Sequence, residues 1–218
     1  MTVQQSIDFT DVVVDEATVR AMRFAGGHRF LNSHVEMLVA PNFLDSNECE
    51  ILVRLIDANR RRSEVADGVT VSRTSETCIF DAATPIIQLL DLRLSLFLGV
   101  APELGEPIQG QRYAVGQEFK LHHDYFEPHH PEERTHTQRC GQRTWTAMIY
   151  LNEPEQGGET FFHYLDHAFK PETGTMLCWN NIGPGGLSNP HTLHAGQPVL
   201  EGTKYIVTKW FREKPWAR

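Results

Sequence analysis

His122 and Asp124 lie in the segment Tyr113-Ala-Val-Gly-Gln-Glu-Phe-Lys-Leu-His122-His123-Asp124-Tyr-Phe, and His194 lies far downstream in Leu193-His194-Ala-Gly-Gln-Pro-Val-Leu-Glu-Gly-Thr-Lys204. Together they offer two imidazoles and one carboxylate. Such a set can hold one face of an Fe(II) ion and leave the opposite face open for oxygen chemistry. On a strand, residues i and i+2 share a face, so His122 and Asp124 project together and His123 points the other way. A bare His-x-Asp carries little weight in a chain with 11 histidines and 28 acidic residues, because most such pairs are solvated. The context adds weight. Lys204 opens the run Lys204-Tyr-Ile-Val-Thr-Lys-Trp-Phe211. A lysine entering an apolar strand is costly to bury unless paired. It is either a side chain snorkelling at a strand edge or a cation waiting for a carboxylate ligand.

The remaining histidines fit structure better than ligation. His129, His130 and His136 fall in a Pro-rich polar stretch from Glu127 to Gln142, which reads as a loop. That stretch lacks zinc-ligand spacing. His163, His167 and His191 read as structural or supporting residues.

Elements must bring the two clusters together. Val35 to Val39 reads as a short strand. Asp45 and Glu48 have the spacing of a capping box, and Leu52, Leu55 and Ile56 follow at helical intervals, so a helix is predicted over 46–60. Arg60-Arg61-Arg62 then suits a helix C-terminus. Thr84-Pro85 starts a second helix with Ile86, Leu89, Leu90 and Leu94 on one face and Gly99 as its stop. Val71 to Ser75 leads into an extended segment near Cys78 to Phe80. After about residue 107, strands are predicted at 108–114, 117–123, 144–151, 159–163, 175–179, 191–194 and 204–211. The order is helices first, then closely spaced strands. This indicates an α+β chain with an antiparallel sandwich or jelly-roll barrel and helices against one face.

The chain has 218 residues, 40% of them hydrophobic, which suits a single domain with a sizeable core. We expect an N-terminal helical support region over about 1–106 and a catalytic core over about 107–213. The formal charge of -8 and pI of about 5.7 argue against nucleic-acid or anionic-membrane partners. Cys49, Cys78, Cys140 and Cys178 are scattered, which fits a reducing compartment. With no signal-peptide pattern and no membrane-length apolar run, the expected location is cytoplasmic.

Several stretches, in the same order and spacing, resemble the prolyl 4-hydroxylase branch of the Fe(II)- and 2-oxoglutarate-dependent dioxygenases. They are Ser72-Arg-Thr-Ser75, Tyr113 to Phe126, Arg143 to Phe162 with its Gly157-Gly-Glu-Thr160, and His194 to Phe211. The resemblance implies a double-stranded β-helix core with supporting N-terminal helices. It implies that His122, Asp124 and His194 bind Fe(II), and that Lys204 pairs with the distal carboxylate of 2-oxoglutarate. Tyr113 matches a position that hydrogen-bonds the same carboxylate. Thr160 and Trp210 match positions lining the co-substrate pocket, and Arg143 one that approaches a peptide substrate. Phe119 stands where some peptidyl-proline enzymes carry a tyrosine whose hydroxyl meets the target proline. Residues 127–142 match a variable lid.

The implied reaction is hydroxylation of a C–H bond, most naturally of a prolyl residue in a peptide or protein. O2 is consumed, 2-oxoglutarate is decarboxylated to succinate and CO2, and ascorbate is expected to support activity. Two other readings stay open. One is a related hydroxylase of another peptide residue or a free small molecule. The other is a non-catalytic β-sandwich that binds metal or sugar.

Overall fold

The computed structural model describes residues 27–62, 73–127 and 131–216. Val71, Ser72, His129 and His130 therefore lie outside the described residues. The strands are β1 (His28–Arg29), β2 (Met37–Ala40), β3 (Arg61–Arg62), β4 (Glu76–Ile79), β5 (Gln109–Tyr113), β6 (Phe119–His122), β7 (Arg143–Tyr150), β8 (Gln156–Gly157), β9 (Thr160–Phe162), β10 (His167–Phe169), β11 (Met176–Asn180), β12 (His194–Gly196), β13 (Val199–Glu201) and β14 (Lys204–Arg212). The helices are α1 (Ser46–Asn59), α2 (Pro85–Leu98) and α3 (Pro131–Cys140).

The strands form an 8-stranded sheet in the order β1-β2-β11-β7-β14-β5-β4-β3, a 4-stranded sheet β10-β9-β12-β6, and the pair β13-β8. The two larger sheets face each other as an antiparallel jelly roll. Alternation along the central strands explains how the large sheet is buried on both faces. Ala147, Ile149, Cys178, Val207 and Phe211 pack outward against Leu52 and Ile56 of α1 and Leu90 and Leu94 of α2. Met148, Tyr150, Leu177, Trp179 and Ile206 point inward, toward Phe162 of the small sheet.

Both predicted helices form. Glu48 N–H donates to Asp45 at 2.8 Å and Asp45 N–H to Glu48 at 2.9 Å, completing the capping box of α1. Gly99, at φ 66, ends α2 in the left-handed conformation. Gly110 is required where β5 passes under α1, because a Cβ there would lie 2.3 Å from Ile56 Cγ1.

Four expectations need correction. First, the N-terminal half contributes strands as well as helices: β1 and β2 extend one side of the large sheet, and β4 and β3 the other. β2 and β4 answer the short strand expected from Val35 to Val39 and the extended segment expected near Cys78 to Phe80, while β1 and β3, two residues each, are too short for pattern reading. Second, the stretch expected as a loop from Glu127 to Gln142 contains α3. Pro131 stands at its first position. At its end, Gly141 adopts φ 71 and donates to Thr137 O at 2.8 Å. Third, residues 190–192 form a 3-10 turn, and the strand begins only at His194. Pro190 and the Asn189 side chain, which accepts from His191 N–H at 3.1 Å, set that turn. Fourth, the arginine cluster serves more than a helix end. Arg60 does reach Asp57 O at 2.7 Å, but it also pairs with Glu76 at 2.9 Å, and Arg61 and Arg62 enter β3.

Cys49, Cys78, Cys140 and Cys178 are all free and buried. No described helix is long and apolar enough to cross a membrane.

Candidate active site

His122 ends β6 and His194 begins β12, and the two residues face each other directly across the β6–β12 pairing. Asp124 sits just beyond the end of β6, in a bend, yet keeps the two-residue offset that turns it to the same side as His122. His122 Nε2 lies 3.7 Å from Asp124 Oδ1, and His194 Nε2 lies 3.9 Å from Asp124 Oδ2. One donor atom from each residue falls within 4.8 Å of the others. His123 takes no part in this group. Its Nε2 is 3.1 Å from Pro190 O and its ring stacks on Tyr125.

The imidazoles are pre-oriented. His122 Nδ1 lies 2.8 Å from Lys120 O, and His194 Nδ1 lies 2.9 Å from Thr192 O. A carbonyl partner requires a proton on Nδ1, so each Nε2 lone pair faces the centre of the group. Phe119 stacks on His122 at 3.5 Å, and Phe162 stacks on His194 at 5.3 Å. Asp124 Oδ2 accepts from the Thr146 hydroxyl at 2.6 Å, and that hydroxyl accepts from Asn181 Nδ2 at 2.9 Å.

Electrostatics favour a cation here. Burial, and then the neighbouring His194, push the His122 imidazole down to about 3. Burial lowers that of His194 as well. Both are neutral at physiological pH. Burial alone would raise the Asp124 carboxyl, but His194, His122, Arg143 and the Thr146 hydroxyl outweigh it and keep the group ionised. The result is two neutral nitrogen donors and one carboxylate. Bonds of about 2.1 Å to a shared ion place neighbouring donors about 3 Å apart, so the group would need to contract by roughly 1 Å to hold one.

These residues line a cavity of about 440 Å³, counted with its open mouth, between the two sheets. Tyr113, Phe119, Thr160, Lys204 and Trp210 line it too, so the structure brings all of these sequence candidates together. Lys204 stands opposite Tyr113 in the β14–β5 pairing. Only 2% of it is exposed, and its ammonium lies over the rings of Tyr113 at 5.5 Å and Tyr150 at 5.4 Å. Burial pushes that ammonium down to about 7. No carboxylate of the described residues forms a salt bridge with it. Gly158, within the Gly157-Gly-Glu-Thr160 motif, leaves room for its stem: a Cβ there would sit 3.2 Å from Lys204 Cδ. Tyr150 Oη, 2.8 Å from Thr160 Oγ1, closes the same end.

Arg143 is placed differently. It does not line the cavity. Its fork is taken by Glu106, at 2.7 and 2.9 Å, and it donates to Asp124 O at 3.3 Å. Its guanidinium covers Trp210 at 4.0 Å. Arg212 also binds Glu106, at 2.8 Å, and reaches the carbonyls of His136 in α3 and of Gly141 just after it. Burial pushes the Glu106 carboxyl up, but the two arginines outweigh it and hold it ionised.

Sequence reasoning missed Thr146, Asn181, Gln111, Thr208, Trp179 and Arg73. Strand alternation offers a signal for Gln111 and Thr208, which share faces with Tyr113 and with Lys204. Three buried N–H groups in the cavity wall have no acceptor among the described residues: Gln111 Nε2, Trp179 Nε1 and Trp210 Nε1. With Lys204, they suit a ligand rich in carboxylate and keto oxygens.

Comparisons with known proteins agree with this chemistry. Residues 108–212 match the model of the 2OG-Fe(II) oxygenase superfamily. Prolyl 4-hydroxylase 1 of Arabidopsis thaliana is 32% identical over 200 residues, covering 82% of this chain and 69% of that protein. Prolyl 4-hydroxylase 2 of the same plant is 31% identical over 208 residues, covering 83% and 68%. Among solved structures, the viral collagen prolyl hydroxylase of Paramecium Bursaria Chlorella virus-1, in a 2OG complex, matches with a TM-score of 0.65 at 28% identity, covering 83% of this chain and 97% of that one. A Trichoplax adhaerens prolyl hydroxylase, in complex with a peptide fragment of the hypoxia inducible factor oxygen degradation domain, shares the fold at a TM-score of 0.61 and 15% identity, covering 89% and 87%. The chain belongs to the 2OG-Fe(II) oxygenase superfamily, in its prolyl 4-hydroxylase branch.

Proposed function

We propose that this protein hydroxylates prolyl residues in a peptide or protein, with Fe(II) held by His122, Asp124 and His194. The observation that carries the reading is one cavity with a neutral-His, ionised-Asp triangle at one end and, at the other, a buried lysine that pairs with no carboxylate of the described residues. Bound Fe(II), with O2 and 2-oxoglutarate, supplies the oxidising power for C–H hydroxylation as the keto acid is decarboxylated to succinate and CO2.

The protein's own residues bind and orient. Lys204 neutralises the distal carboxylate of 2-oxoglutarate, and Tyr113 and Thr160 shape that end. Trp210 walls the side of the pocket under Arg143. Thr146 and Asn181 fix which oxygen of Asp124 turns inward. Arg143 and Phe119 stand on the substrate side. Arg143, tied to Glu106 and to the backbone of Asp124, acts by holding Trp210 and the ligand bend in place. Phe119 buttresses His122 and offers the substrate a ring without a hydroxyl. This absence gives a second reading some support: a related hydroxylase acting on another residue or on a free small molecule.

Residues about 107–213 act as the catalytic core and the preceding helices and strands as its support, within one domain. Ascorbate supports turnover, and the four free cysteines fit a cytoplasmic setting. The test is succinate release from 2-oxoglutarate with Fe(II), ascorbate and a panel of proline-rich peptides. Peptide-stimulated succinate supports the reading. No succinate under any of these conditions would favour a non-catalytic binding module.

A further inference from the structure

We propose that Gln111 reads the 1-carboxylate of 2-oxoglutarate, its side-chain N–H donating to that group while Thr208 holds the amide in orientation. The inference rests on the functional reading above and adds a co-substrate contact to it.

Gln111 is 1% exposed and Thr208 7%, and both line the cavity. The Thr208 hydroxyl lies 3.0 Å from Gln111 Oε1. That hydroxyl has no other acceptor among the described residues, so its proton goes to the amide oxygen. This fixes the amide the other way round for the ligand: Nε2, a donor, is the free end. It is buried and has no partner among the described residues. A buried amide N–H without an acceptor is rare in a folded protein, and here the cavity is the space it borders.

Strand register says which ligand atom it meets. Lys204 pairs with Tyr113, Ile206 with Gln111, and Trp210 with Thr146, the residue bonded to Asp124. Along β14 the lysine level comes first, the Gln111 level next and the Asp124 level last. Gln111 is two residues along β5 from Tyr113, a step of about 7 Å on the same face. A five-carbon keto diacid that spans from Lys204 to the triangle therefore passes Gln111. The distal carboxylate is already served at the lysine level, so the acceptor within reach is the 1-carboxylate at the other end. Carboxylates prefer such a donor because the hydrogen bond is charge-assisted.

The test measures binding rather than turnover. Protein loaded with Mn(II) in place of iron, without O2, is titrated calorimetrically with 2-oxoglutarate. It is then titrated with 4-oxobutanoate, which keeps the distal carboxylate and lacks the 1-carboxylate. Gln111→Leu should weaken 2-oxoglutarate about tenfold or more, the loss expected for one hydrogen bond to a charged group, and leave 4-oxobutanoate unchanged. Gln111→Glu keeps the shape and the acceptor for Thr208 but replaces the donor with an oxygen. It should weaken 2-oxoglutarate at least as much, and it guards against a Leu variant that fails to fold. Equal losses for both ligands, unchanged 2-oxoglutarate affinity in both variants, or a loss confined to peptide binding would overturn the proposal. Failure of the wild-type protein to bind 2-oxoglutarate at all would instead overturn the functional reading on which it rests.

Discussion

Lys204 makes the affinity for 2-oxoglutarate depend on pH in a direction the structure dictates. Its ammonium is buried, and burial lowers it from 10.5 to about 7. That gap corresponds to roughly 5 kcal/mol against charging it in the ligand-free pocket. Below about pH 7 the side chain is already charged, and a dicarboxylate binds without proton uptake. Above that pH it is neutral when the pocket is free, and binding must draw a proton back onto it. The affinity is therefore fully present at lower pH and is lost as pH rises, by up to tenfold per pH unit until the raised pKa of the complex is reached. Between about pH 6 and pH 8 the dissociation constant should rise about tenfold. Calorimetry on Mn(II)-loaded, anaerobic protein reads this directly. Titrations near pH 8 in buffers of different ionisation heat should report uptake of about one proton per ligand. Lys204→Met should lose both the pH slope and about 2–5 kcal/mol of affinity at the lower pH. A wild-type dissociation constant that is flat over this range, or a Met variant with the same slope, would refute the reasoning.

Other expectations follow from the same geometry. His122→Ala and Asp124→Ala should lose bound iron and activity, while His123→Ala keeps its iron; metal analysis of the purified variants decides, and full occupancy in the first two would remove the triangle as the metal site. Glu106→Gln leaves Arg143 and Arg212 buried without their carboxylate and should cost about 3–5 kcal/mol in denaturant unfolding; a loss below about 1 kcal/mol would show that the network carries little. Gly110→Ala should destabilise by about 1–3 kcal/mol through its clash with Ile56, and Ile56→Ala in the same chain should offset part of that clash. If the double variant is no better than the sum of the single ones, the close approach is not the cause.

Much of the site was legible in the chain because its logic is local or periodic. The two-residue offset of His122 and Asp124 survives even where β6 stops, so His122 faces Asp124 as strand reasoning expected, and His123 turns away to Pro190 O. Lys204 announced itself as a charge at the head of an apolar strand. The capping box and Gly99 marked both long helices for equally local reasons. What escaped depends on partners distant in sequence. Nothing local marks Glu106 until Arg143 and Arg212 arrive from β7 and β14. The pairing of Arg143 with Glu106 likewise joins residues 37 positions apart, which no local pattern announces. Thr146 and Asn181 are ordinary polar residues until the fold brings them to Asp124. The two-residue strands β1 and β3 were missed because such short pairings leave almost no alternation to read, while β2 and β4 fall where a short strand and an extended segment were expected. Helix α3 was missed because a polar, Pro-headed segment carries no apolar stripe.

This cavity serves oxygen transfer to a prolyl residue, driven by decarboxylation of 2-oxoglutarate. Mass spectrometry of proline-rich peptides, incubated with the protein, Fe(II), 2-oxoglutarate and ascorbate, tests it most directly. The expected result is a mass gain of one oxygen atom located on proline, with succinate formed in equal amount and both products absent in His122→Ala. Oxygen placed on a residue other than proline, or unmodified peptides with no succinate, would contradict it.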